Sequence, residues 1–242
     1  MERTKVIVCG ATGMVGQIYV AQLATHPWFE LVGVAASERS AGRPYADAAR
    51  WYIPGDIPPA ARAMTVLPCS AEAVLATGAT LAFCALPSDV AGPVESSLAA
   101  AGLAVVADTA AHRMDAGVPL VVPEVNTEHL AAVPARSSRG RAGFIVTGPN
   151  CSTAGLVLSL KPLQDAFGIR RVVVVTMQAL SGAGYAGVPS MAIVDNLIPF
   201  IRGEEEKMAR ETQKMLGSWT GASFEPAAVP VSASCNRVAV LE

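Results

Sequence analysis

The chain has 242 residues, enough for one large domain or two ordinary ones, and 52% hydrophobic against 16% charged residues supports a well-buried core and excludes a disordered chain. With 18 basic and 20 acidic residues the formal net charge is -2, which gives no electrostatic reason to expect nucleic acid or an anionic membrane surface as a partner. Mean hydropathy is high at +0.40, yet apolar runs such as RVVVVTM and LAVVA fall far short of the ~18 residues of a membrane helix, so the chain reads as soluble.

The opening MERTKVIVCGATG superficially copies a signal peptide, but its apolar run is short and stops at glycine, as an edge-to-core strand would. From there β-branched runs alternate with Ala/Leu-rich segments: KVIVCG, MVGQIYVAQLATH and ELVGVAAS, then TLAFCAL, DVAGPVESSLAAAG and LAVVAD. Strand, helix, strand repeated in this way predicts an α/β fold, a doubly wound (Rossmann) parallel sheet with helices on its faces, placed at residues 1–147. PARSSRGRAG, residues 134–143, carries Arg136, Arg139 and Arg141 without apolar periodicity and reads as a solvated loop rather than an anion site.

Residues 148–242 have a different texture and read as a second, α+β domain. STAGLVLSLKPLQDAF has helical spacing, RRVVVVTMQAL is a strong strand and SGAGYAGVPS is a flexible connection. The stretch from Ala192 to Gly217 reads as one or two helices with a Glu/Lys face, and AAVPVSASCNRVAVLE as an alternating strand.

Two stretches carry chemistry. In GATGMVG, Gly10, Gly13 and Gly16 fall between the first strand and the first helix, where glycines let backbone N–H groups approach a pyrophosphate at the positive helix end. Thr12, Met14 and Val15 complete that turn. The second strand ends in SERSAGR rather than in an acid placed for a ribose 2′-hydroxyl. Ser37, Arg39 and Ser40 therefore favour a 2′-phosphate and NADP; Glu38 opposes this, and a helix cap is the alternative for Ser40. In GPNCSTAG, Cys151 stands at a helix start, where unsatisfied N–H groups favour a thiolate. Ser152 and Thr153 offer caps and Asn150 an oxyanion donor, whereas Cys9 and Cys84 lie in apolar strands as inert small hydrophobes. Five cysteines without a C-x-x-C pair suggest no zinc site, no other metal and no disulfide framework, hence a reducing cytosol.

GATGMVGQ, SERSAG, HRMDAGVPLVVPEVN, GPNCST, VTMQALSGAGYAGV, DNLIPFIRGEEEKMARETQKMLG and SCNRVAVLE, in this order, resemble aspartate-semialdehyde dehydrogenase of the archaeal and fungal type over nearly the whole chain. That family reduces β-aspartyl phosphate to aspartate semialdehyde with NADPH, releasing phosphate, on the way to lysine, methionine and threonine. The resemblance implies Cys151 as the thioester-forming nucleophile, Gln178 positioning the acyl group, and Arg237 clamping the substrate carboxylate. It further implies Arg113 with Lys207 on the phosphate, Glu204 with Glu205 on the ammonium, and Ser181 and Gly182 at the nicotinamide. It makes the second domain the catalytic and dimerisation domain and the protein a cytoplasmic homodimer or homotetramer.

The residues alone leave blander readings open: a solvated EEEK face for Lys207, and an ordinary salt bridge for Arg113. The family's acid/base histidine sits in a Gly-His pair shortly after the CNRV block, a point this chain does not reach by Glu242. His26, at a helix end, His112, beside Arg113, and His129, on a predicted surface helix, do not replace it. The expectation is therefore an incomplete second domain and very low turnover. Malonyl-CoA reduction and a non-catalytic nucleotide-binding fragment are the alternatives.

Overall fold

The computed structural model describes residues 2–134 and 142–241, so most of the predicted 134–143 loop, with Arg136, Arg139 and Arg141, lies outside the described residues. The chain forms two compact units. One comprises Met1–His112 and Val133–Gly148, the other Arg113–Ala132 and Pro149–Glu242. The chain thus crosses between units at Gly148, one residue from the predicted boundary, but Arg113–Ala132 belongs with the second unit rather than within 1–147.

The first unit holds strands β1 (Thr4–Cys9), β2 (Phe29–Ala36), β3 (Val66–Pro68), β4 (Leu81–Cys84), β5 (Ala104–Ala107) and β6 (Phe144–Thr147). Its helices are α1 (Met14–Leu23), α2 (Tyr45–Ala48), α3 (Pro59–Arg62), α4 (Ala71–Ala76) and α5 (Ser88–Ala100). All six strands pair in parallel, in the order β3-β2-β1-β4-β5-β6. The doubly wound sheet predicted from the alternating runs is what forms. Side-chain alternation along β1 divides the core between the faces. Val6 and Val8 pack with Val20, Leu23 and Tyr45, while Ile7 and Cys9 pack with Val74, Leu98 and Val105. Strand order reverses between β1 and β4, and the crevice at their carboxyl ends is where such sheets bind ligands.

The second unit contains α6 (Pro123–Asn126), α7 (Cys151–Phe167), β7 (Val172–Gln178), α8 (Ser190–Ile193), β8 (Ile198–Pro199), α9 (Glu204–Met215), β9 (Ser218–Trp219), β10 (Phe224–Glu225) and β11 (Val231–Arg237). β11 lies in the middle of a three-stranded sheet, parallel to β7 and antiparallel to β8. The stretch read as one or two helices is instead a single turn of helix, a short strand and then α9, because Ile198 and Pro199 pair with Arg237 and Asn236. Leu120, Val122, Val125, Val157 and Met215 form this unit's core cluster. Among the described residues no helix is long and apolar enough to cross a membrane.

Candidate active site

The turn after β1 has the backbone its glycines imply. Gly10 takes φ +85°, and a Cβ there would lie 2.3 Å from the Ala85 carbonyl oxygen, so only glycine lets the loops after β1 and β4 approach this closely. A Cβ on Gly16 would lie 2.1 Å from the Gly10 oxygen. Gly13 caps α1 without any side-chain hydrogen bond, and the first turn bears no acidic residue. Thr12, Met14 and Val15 thus sit where unsatisfied N–H groups and the positive end of the helix dipole converge, a cradle suited to a pyrophosphate.

β2 is the neighbour of β1, so the Ser37–Ser40 segment flanks this turn. Ser37 accepts from the N–H groups of Ser40 and Ala41 through its carbonyl, and Ser37, Glu38 and Arg39 are exposed. Ser40 is not a helix cap, since α2 is preceded by Pro44 in that position. These residues fit an exposed 2′-phosphate.

In the second unit α7 begins at Cys151 itself, and its thiol is exposed, 3.9 Å from Asn150 Oδ1 and 4.0 Å from Ser152 Oγ. The cap is Asn150, whose Oδ1 accepts from the Ser152 N–H at 2.9 Å. Ser152 and Thr153 therefore do not cap, and the Thr153 side chain is fully buried. Asn150 is also held from α9: its backbone N–H donates to Glu211 Oε2 and its Nδ2 to Glu204 Oε2, each at 2.7 Å. These bonds fix the start of α7, and they engage one of the two Nδ2 hydrogens of Asn150.

A cavity of about 330 Å³ opens beside Cys151 and is lined by Ser152, Thr176, Gln178, Gly182 and Arg237 among others. Its geometry follows from the sheet. Gln178 and Arg237 face each other in register at the ends of parallel β7 and β11. Arg237 is buried, its Nη1 donates to the Ala179 carbonyl, and a Cβ on Gly182 would lie 2.8 Å from that nitrogen. Gln178 Nε2 makes a long contact of 3.4 Å to Thr176 Oγ1. Ser181 stands in the same 3-10 turn, Leu180–Ala183, as Gly182. Cys235 is buried behind this surface, where burial pushes its thiol up.

The remaining predicted residues cluster along α9 rather than in the cavity lining. Arg113 is buried and paired with Glu211 at 3.0 Å, which is the salt-bridge alternative left open by the sequence. Glu204 divides its carboxylate between Asn150 and the half-exposed Lys207, 3.3 Å away. Glu205 accepts from the Cys235 N–H at 3.0 Å. The EEEK face is thus only partly solvated: Glu206 and Arg210 pair in solvent, whereas Glu204 and Glu205 turn to the protein.

Glu211 and Lys214 were not singled out from the sequence. Lys214 is buried, donates to the carbonyls of Arg113, Asp115 and Val118 at 2.7–3.0 Å, and lies over the Phe224 ring. Burial pulls its ammonium down to about 8, with Asp115 opposing. Their spacing from Glu204, seven and ten residues, puts all three on one helix face. His129 is not on a surface helix. It is buried in a 3-10 segment between Asn126 Nδ2 and the Gly217 carbonyl, and burial lowers its pKa below the ordinary 6.5. His112 bonds Ser96 and Gly92 within the first unit. Cys9 and Cys84 are buried in their strands as expected. Among the described residues no His/Cys/Asp/Glu group is arranged to hold a metal ion.

A nucleotide-type sheet followed by a domain whose helix opens on an exposed cysteine defines a cysteine-bearing dehydrogenase class, and two family models match accordingly. "Semialdehyde dehydrogenase, NAD binding domain" covers residues 5–133 and "Semialdehyde dehydrogenase, dimerisation domain" covers residues 160–242. Aspartate-semialdehyde dehydrogenase of Archaeoglobus fulgidus is 51% identical over 241 residues, spanning 99% of this chain and 69% of that protein. The enzyme of Saccharomyces cerevisiae is 43% identical over 246 residues, with 96% and 67% covered. The crystal structure of the Candida albicans enzyme with NADP superposes with a TM-score of 0.91 at 42% identity, covering all of this chain and 69% of that one. The chain belongs to the aspartate-semialdehyde dehydrogenase family and spans about two thirds of the length of these relatives.

Proposed function

We propose that the protein catalyses the NADPH-dependent reduction of β-aspartyl phosphate to aspartate semialdehyde, reversibly and with release of phosphate, through a thioester on Cys151. The observation that carries this reading is the cavity in which an exposed thiol at a helix start, an amide and a buried guanidinium converge. Cys151 Sγ attacks the acyl carbonyl, the bond to the phosphate oxygen breaks, and phosphate leaves. Gln178 donates to the carbonyl oxygen as it gains charge. Arg237 spends one Nη1 hydrogen on Ala179 and has further donors for a bidentate grip on the substrate carboxylate. The Gly10–Gly16 turn would hold the pyrophosphate of NADPH and Ser37, Arg39 and Ser40 its 2′-phosphate, and the cofactor, when bound, would supply the hydride. Collapse of the reduced adduct returns the thiolate and frees the aldehyde, with Ser181 and Gly182 forming the wall on that side.

Lys207 and Arg113 are assigned to the phosphate. For Arg113 this means that the guanidinium meets the phosphate while Nη1 stays paired with Glu211. Glu204, helped by Glu205, is assigned to the substrate ammonium, which must compete with Lys207 for the same carboxylate. The described residues lining the cavity include no histidine or carboxylate to serve as the acid/base group of this chemistry. A second copy of the chain is proposed to cover the outward face of β7, giving a homodimer or a pair of them.

The test is phosphate-dependent oxidation of aspartate semialdehyde with NADP, run beside CoA-dependent oxidation of malonate semialdehyde. The first is expected, and it should fall ~10³-fold or more in Cys151→Ala. Activity only with the CoA substrate would overturn the aspartyl reading. Independent of turnover, iodoacetamide should label Cys151 well before the buried Cys9 and Cys84.

A further inference from the structure

Two buried side chains in the first unit spend their polar atoms on the backbone of the phosphate turn. Tyr45, fully buried, donates its hydroxyl to the Ala11 carbonyl at 2.6 Å. Gln17, also fully buried, donates Nε2 to the carbonyls of Thr12 at 3.0 Å and Arg50 at 2.8 Å, and accepts the Tyr52 N–H on Oε1 at 2.8 Å. Burial pushes the Tyr45 phenol up, so it remains a donor. Neither residue belongs to the glycine pattern, and Tyr45 reaches the turn from 34 residues further along the chain.

The physical need for such a lock comes from the glycines themselves. In a trans peptide the C=O and N–H point in opposite directions, so holding the Ala11 oxygen inward presents the Thr12 N–H on the other side. Gly13 takes φ -79° here but, as a glycine, can adopt either sign, and a flip of the Thr12–Gly13 peptide would turn the Thr12 carbonyl oxygen towards an anion. The freedom that permits close approach also permits the wrong orientation.

We propose that Tyr45 and Gln17 are positioning residues for dinucleotide binding: they fix the Ala11–Thr12 and Thr12–Gly13 peptides so that the turn offers the Thr12 N–H to the pyrophosphate and keeps its carbonyl oxygens turned away, while the Gly13 N–H closes the turn onto the Gly10 carbonyl. The proposal rests on the NADP reading above. It separates two parts of the cofactor, because the lock acts on the turn and not on the Ser37–Ser40 segment.

The experiment measures dissociation constants of NADP and of adenosine 2′-phosphate, which keeps the 2′-phosphate and lacks the pyrophosphate, by tryptophan fluorescence or calorimetry. Tyr45→Phe removes one hydroxyl and should weaken NADP about five- to tenfold, the loss of roughly one hydrogen bond, with adenosine 2′-phosphate within about twofold of wild type. Gln17→Met is the second variant, with the same selective loss expected, and thermal melting with near-UV circular dichroism reports the fold of each. Unchanged NADP affinity in a folded Tyr45→Phe protein overturns the proposal, as does equal weakening of both ligands. A wild-type protein that binds adenosine 2′-phosphate but not NADP sinks it too, and binding of neither removes the NADP reading along with it.

Discussion

The two sheets put the same device to different ends. In both, the candidate site residues stand at the carboxyl ends of parallel strands: Gly10 follows β1, and Gln178 and Arg237 end β7 and β11. The first sheet is covered on both faces, with Val6, Ile7, Val8 and Cys9 all at 0% exposure. Along β7, by contrast, Val173, Val175 and Met177 are 74%, 62% and 62% exposed, an apolar stripe on an edge strand of the sheet. The first sheet is closed by its own helices, while the second presents an apolar surface of the kind that marks an interface. That contrast suits a domain matched as a dimerisation domain.

Three experiments probe this contrast, from large effect to small. The first uses one glycine from each unit. A methyl on Gly16 meets backbone, so Gly16→Ala should cost about 1–3 kcal/mol of stability and most of the NADP affinity. A methyl on Gly182 meets only the end of the Arg237 side chain, so Gly182→Ala should melt near wild type while raising KM for aspartate semialdehyde several-fold. Equal losses of stability would erase the distinction between a packed turn and an adjustable one. Next, Val175→Lys should leave the melting of the protomer within about 0.5 kcal/mol but weaken self-association in analytical ultracentrifugation. Unaltered assembly would place the interface elsewhere.

The smallest effect is one of pH. Burial holds the His129 pKa below 6.5, so on acidification the unfolded chain takes up its proton first. The stability this group contributes is present above pH 6.5 and is lost as pH falls through the folded value. Between about pH 7 and pH 5, wild type should therefore lose more melting temperature than His129→Gln. A parallel decline in both proteins would remove His129 from the account.

What the amino-acid sequence discloses about this molecule is mostly local. The alternation of β-branched runs with Ala/Leu segments, the glycine turn and the cysteine at a helix start each involve neighbours a few residues apart, and each forms as read. The misreadings concern partners distant in sequence. Asn150, not Ser152 or Thr153, caps α7 because Glu204 and Glu211 hold it from 54 and 61 residues away. Lys214 looks like part of a solvated Glu/Lys face until its three carbonyl acceptors, 96 to 101 residues earlier, are known. His129 reads as exposed because nothing near it in sequence announces Gly217, 88 residues on. Buried polar groups must find partners, and helical periodicity alone does not say where.

β11 sits between β7 and β8 but is made after both of them. Neither neighbour has a strand to pair with until Val231–Arg237 leaves the ribosome, so helix α7, bearing Cys151, emerges well before the sheet that gives Arg237 its place. During that interval the bare apolar edge of β7 is a site for chaperone capture or mispairing, and the arginine that completes the cavity arrives with the strand that closes it.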